Sequence, residues 1–115
     1  MNMQAFMAHV AKVFGIEGAG LRYVNGKSEQ VQKIAICGGA GADLVNEAIA
    51  QGADVYVSAD FKYHEMQAAA GQIAVVDMDH WVSEHYTREI FEQLLSPYIH
   101  TRVAKEDKSP VEYWR

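Results

Sequence analysis

A single cysteine, Cys37, leaves no partner for an internal disulfide, so no disulfide framework holds this chain together. It lies in the apolar run Lys33-Ile34-Ala35-Ile36-Cys37, where a free thiol usually behaves as a small buried hydrophobe. One such thiol suits a reducing, cytoplasmic setting. Basic residues are also scarce. Ten Lys and Arg against fifteen Asp and Glu leave a net charge of -5, and the cations are scattered singly. That removes the electrostatic case for binding nucleic acid. No apolar run approaches the roughly 20 residues that cross a bilayer. The first residues lack a charged segment followed by an unbroken apolar core, so no signal peptide is expected. Neither an internal repeat nor a low-complexity stretch occurs.

What is present is an ordinary globular composition. The 115 residues are 50% hydrophobic and 22% charged, enough for one domain with one core. Met3, Phe6, Met7, Val10, Val13 and Phe14 recur at helical spacing until Gly15. Leu21–Val24 is β-prone and is followed by the turn dipeptide Asn25-Gly26. Lys33–Cys37 reads as a strand cut off by Gly38-Gly39-Ala40-Gly41. A helix over Asp43–Gln51, a strand over Asp54–Ser58 and a short helix over Phe61–Ala70 follow. Ile73–Met78 is an apolar strand. A long helix is expected from His80 or Trp81 to about Tyr98, with Trp81, Ile90, Phe91, Leu94 and Leu95 facing the core. Val103 is expected to open a last strand before a tail at Ser109-Pro110. Alternating strands and helices, with nearly solid apolar strands, predict an α/β layered fold with an at least partly parallel sheet.

Ligands in such sheets bind beyond the carboxyl ends of the strands, where the unusual residues of this chain gather. His80 and Glu84 stand four apart at a helix start, which puts their β-carbons about 5–6 Å apart on one face. An imidazole and a carboxylate so placed suit a divalent metal ion. Spacing alone equally suits a solvated helix start, where an acid favours the dipole. Asp60 and His64 repeat the theme one strand earlier, with Asp60 as an alternative N-cap. The glycine run after Lys33–Cys37 lacks the Lys-Ser/Thr ending of a phosphate loop and reads better as a tight turn into a helix. Cys37 as a nucleophile has no support beyond a nearby helix start and reads better as a structural thiol. His9 and His100 have no partner pattern, and His85 points about 100° away from Glu84.

Together, "KIAICGGAGADLVNEAIAQGADVYVSADFKYHEMQAA" and "IAVVDMDHWVSEHY" resemble the second half of the NIF-three-like proteins, the GTP cyclohydrolase I type 2 homologues. The resemblance runs from about Phe6 to the "SPVEYW" tail, over residues 1–115 as a single α/β domain. It implies a dinuclear metal site and a ring-shaped hexamer. His80, Trp81 and Glu84 match the family's Gly-His-aromatic-x-x-Glu motif, which makes His80 and Glu84 metal ligands. Ala59-Asp60-Phe61-Lys62-Tyr63-His64 matches its Gly-Asp-x-Lys-Tyr-His motif, which places Asp60 and His64 in the same cleft in catalytic or orienting roles. Asp79 and Ala59 stand where that pattern has glycine.

The family's first half contributes a His-His pair, and no His-His dipeptide occurs in this sequence. The resemblance therefore implies a C-terminal half without the family's N-terminal half, as either a piece of a longer protein or a stand-alone half. The expected function is one side of a metal-dependent hydrolase acting on a nucleotide- or phosphate-type substrate. Two divalent ions per complete site are implied: zinc, iron or manganese. The alternative is a non-catalytic assembly or regulatory metal-binding module. A homo-oligomer is expected, with no nucleic-acid or membrane partner.

Overall fold

The computed structural model describes residues 1–16 and 20–114. Asn2 caps the first helix, α1 (Met3–Val13), by accepting the Ala5 N–H at 2.8 Å. The helix buries Met3, Phe6 and Val10, the positions the periodicity predicts, and Gly15 in a left-handed conformation follows its end. β1 (Leu21–Val24) comes next. The Asn25-Gly26 step then brings the backbone against Ile73 and Ala74. A Cβ on Gly26 would collide with the Ala74 nitrogen and lie 2.7 Å from the Ile73 carbonyl carbon, so only glycine fits.

β2 (Ile34–Ala40) runs further than its apolar stretch suggests. Ile36 pairs with Val57 but Ala40 pairs with Ala59, so the residues between form a bulge. The glycine run is thus the end of the strand, and the expected turn begins only at Gly41. A 3-10 turn (Ala42–Leu44) leads into α2 (Val45–Ala50), shorter than the expected Asp43–Gln51 helix. β3 (Val55–Ala59) is followed by α3 (Tyr63–Ala69), whose Glu65 side chain accepts the Lys62 N–H at 2.6 Å. β4 (Ala74–Met78) then leads into α4 (His80–Glu84) and α5 (Thr87–Leu95).

The strands form a mixed sheet in the order β1-β4-β3-β2, in which β2, β3 and β4 are parallel and β1 is antiparallel to β4. The expected α/β fold is present. Every residue of β3 and β4 is buried, as central parallel strands require when both faces are covered. On one face, Val55, Val57, Ala74, Val76 and Met78 pack against α1. On the other, Tyr56, Ile73 and Val75 pack against Ala48 of α2 and Met66 and Ala69 of α3.

Two expectations fail at the C-terminal end. The long helix is broken at His85–Tyr86 into α4 and α5. The His85 ring nitrogen lies 3.1 Å from the Val82 carbonyl and Ser83 Oγ donates to the His80 carbonyl at 2.8 Å, so side chains compete for acceptors the helix would use. Beyond the break, Tyr86 packs edge-on against Phe14 at the C-terminal end of α1, and Ile90, Phe91, Leu94 and Leu95 are exposed rather than in the core. Val103 opens no strand; residues 101–104 form no regular secondary structure.

Candidate functional site

The carboxyl ends of β3 and β4 lie side by side, and each turns sharply into the residue that carries its chemistry. After Ala59, Asp60 takes a left-handed backbone (φ 58°), a conformation that Asp tolerates better than most residues. Its carboxylate meets the His80 imidazole, with Oδ2 2.5 Å from Nδ1. After Met78, Asp79 becomes the N-cap of α4, accepting the Val82 N–H on Oδ1 at 3.2 Å. That cap starts the helix at His80. One turn later, Glu84 Oε2 lies 3.0 Å from His80 Nε2. The imidazole is therefore held between two carboxylates, one on each nitrogen.

The Asp60 hydrogen bond is the main cause that raises the His80 pKa above its ordinary 6.5; desolvation, the next largest effect, opposes it, and the charges of Asp60 and Glu84 add to the rise. Gly39, in a left-handed conformation, makes room for the Glu84 side chain. A Cβ there would collide with Oε1 and lie 3.0 Å from Cδ. The Gly39 N–H donates to Ser83 Oγ at 2.8 Å, and Ser58 Oγ donates to the Gly39 carbonyl at 2.9 Å. The glycine run thus ties β2 to α4 and leaves Glu84 its space; with the Gly39 N–H taken by Ser83, it is not an open phosphate cradle.

The C-terminal tail closes one side of the site. Tyr113 OH donates to Asp79 Oδ2 at 2.7 Å, which raises the phenol pKa. Asp107 accepts Trp81 Nε1 and Arg88 Nη1, each at 3.1 Å. The His85 ring stacks on Trp81 at 4.4 Å. On the floor, Asp77 is buried and takes the Phe61 N–H at 3.2 Å together with the Arg22 guanidinium. These groups enclose a cleft of about 570 Å³.

Among the residues singled out in the sequence, Asp60, His80 and Glu84 converge directly. His64 lies on the exposed first turn of α3 against the Tyr63 ring and is not part of the cleft lining. Cys37 is half-buried beside the second core cluster. His9 and His100 are exposed, and His85 joins the cleft through its stack on Trp81. Arg22, Asp107 and Tyr113 were not singled out. Only Asp77 carried a signal, being a charge in an otherwise apolar strand.

An imidazole clamped by carboxylates across adjacent parallel strand ends defines an α/β protein with a strand-end acid–histidine site. The chain belongs to the Duf34/NIF3 (NGG1p interacting factor 3) family, whose profile matches residues 1–110. A Campylobacter jejuni protein named GTP cyclohydrolase 1 type 2 homolog is 32% identical over 115 residues, covering 99% of this chain and 46% of that protein. A Staphylococcus aureus protein of the same name is 30% identical over 108 residues, covering 93% of this chain and 29% of the relative. Crystal structures agree. A Staphylococcus aureus protein superposes with a TM-score of 0.85 at 28% identity, over 99% of this chain and 39% of the other. A Bacillus cereus protein related to NIF3 gives 0.77 at 26% identity, over 99% and 33%. This chain therefore spans less than half the length of these relatives.

Proposed function

We propose that this chain supplies one side of a dinuclear metal centre in a metal-dependent hydrolase acting on a nucleotide- or phosphate-type substrate. The observation that carries this is the Asp60–His80–Glu84 arrangement at adjacent strand ends, lining one cleft. Its donors are one imidazole nitrogen and carboxylate oxygens, which suit zinc, iron or manganese. Gly39 keeps the Glu84 carboxylate in that position. The set is incomplete by itself. No group of three or more His, Cys, Asp or Glu able to hold a metal ion occurs among the described residues. The remaining donors would come from the part of the protein represented in its relatives outside the matched region.

In this reading His80 and Glu84 would hold the metal, and a bound divalent ion would supply Lewis acidity and an activated water. Asp60 orients the imidazole by accepting at Nδ1, which leaves Nε2 for coordination. His64, on the exposed first turn of α3 and outside the cleft lining, is a proposed proton-transfer residue.

A second reading is a non-catalytic assembly or regulatory metal-binding module within a homo-oligomer, a hexameric ring by family resemblance. The exposed Ile90, Phe91, Leu94 and Leu95 of α5 favour it, since apolar surface of this extent belongs in a contact. Both readings are tested by elemental analysis of the purified chain, alone and mixed with a chain carrying the family's first half. Bound metal in the mixture that His80→Ala removes supports the centre; no metal in either sample overturns it. Release of phosphate from nucleotides by the loaded mixture, abolished by Asp60→Asn, then separates hydrolase from assembly module.

A further inference from the structure

We propose that Arg22 is the anion-binding residue of the cleft, placed to take the phosphate group of a ligand that also meets the His80–Glu84 centre. This rests on the reading of the cleft as a ligand site and adds a residue and a ligand chemistry to it.

Arg22 and His80 hang on the same two strand ends. Arg22 Nη2 donates to the Phe61 carbonyl at 2.7 Å and to the Asp77 carboxylate. Phe61 follows Asp60, which grips His80, and Asp77 lies three residues before His80 on β4. The pairing is built in by register, because Arg22 of β1 stands opposite Asp77 of β4 in the antiparallel ladder.

A structural role explains only half of this arrangement. Asp77 is 5% exposed, and a buried carboxylate needs its counter-charge and its Phe61 N–H. The Arg22 side chain, however, is 60% exposed and lines the cleft. Only Nη2 is used in the contacts of the described residues, so Nη1 and Nε remain as donors. A guanidinium already fixed at one edge loses little freedom when its other donors engage an oxyanion, and its fork matches phosphate geometry.

The charge around Arg22 is otherwise acidic. Among the described residues, Arg22 is the only Lys or Arg lining the cleft, and the other acidic or basic side chains there, His80 and His85 aside, are the carboxylates of Asp60, Asp77, Asp79, Glu84 and Asp107. Among the described residues its guanidinium is the one Lys or Arg cation an oxyanion can meet there, and it lies beside the strand ends that carry the proposed ligands, where divalent ions would offset the surrounding carboxylates.

The test titrates inorganic phosphate into the full chain by calorimetry, with and without a divalent ion and the first-half chain, for wild type and Arg22 variants. Arg22→Gln is expected to weaken phosphate binding about tenfold or more, and Arg22→Lys to recover part of it by restoring charge without the fork. Metal content by elemental analysis is expected to be unchanged in both. Should Arg22→Gln unfold by leaving Asp77 unpaired, the Arg22→Gln/Asp77→Asn double variant keeps a neutral hydrogen-bonded pair for the same titration. A folded variant with wild-type phosphate affinity, or no phosphate binding by wild type under any condition, overturns the proposal. Phosphate binding that depends on Arg22 in a protein that takes up no metal would uphold this inference and sink the metal centre instead.

Discussion

At the scale of single residues, the imidazole of His80 is the most constrained group of the site. With a carboxylate at each nitrogen, its protonated form is favoured in the folded protein, and its pKa rises above the ordinary 6.5. A raised folded-state value contributes stability that is fully present below pH 6.5 and is lost as pH climbs through the folded value. Melting metal-free wild type and His80→Ala across pH 5 to 9 is therefore expected to show a stability difference that shrinks with rising pH. A difference that grows instead would mean the carboxylates do not face the ring. Asp79 shows how this chain uses a carboxylate where the family pattern has glycine. One oxygen caps α4 and the other holds Tyr113 of the tail. Tyr113→Phe removes one such bond, worth about 0.5–1.5 kcal/mol. Faster proteolysis within residues 101–114 is the expected outcome, with the core melting little changed.

At the scale of elements, the site depends on close approach between the end of β2 and α4. Gly39→Ala combines a left-handed backbone (φ 71°) with a Cβ in the space of the Glu84 carboxylate. It is expected to cost about 1–3 kcal/mol in strain and to lower metal uptake more than Gly52→Ala. Gly52 has a similar φ of 72° but open space around it, so equal uptake by the two variants would show that Glu84 is not a ligand. Ile73 is almost fully buried, and Ile73→Ala is expected to cost about 2–5 kcal/mol in denaturant unfolding. Most elements were legible in the sequence, because Met3–Val10 and Val55–Val76 carry periods and punctuation that are local. The break between α4 and α5 was not. Its causes are side-chain bonds at Ser83 and His85 and the contact of Tyr86 with Phe14, and only the last depends on distant chain.

At the scale of the whole molecule, exposed aliphatic and Phe residues gather on two elements, β2 and α5. Ile34 and Ile36 of the edge strand β2 are 50% and 61% exposed, and α5 leaves Phe91 and Leu94 57% and 62% exposed. Self-association of the chain is expected by light scattering, and Phe91→Lys with Leu94→Glu is expected to shift it toward monomer. A wild-type monomer at high concentration would count against the homo-oligomer reading. The sequence by itself determined the order of strands and helices, the parallel character of the sheet and the meeting of Asp60, His80 and Glu84. Apolar period, glycine punctuation and helix spacing act over a few residues, and the strand-end rule brings adjacent strand ends together. Only the tertiary structure decided that β1 lies beside β4, that Arg22 therefore faces Asp77, that the tail reaches Asp79, and that α5 keeps its apolar residues outside. Each of these depends on which surfaces the folded sheet leaves open, and residues 30 to 60 positions apart carry no local mark of it.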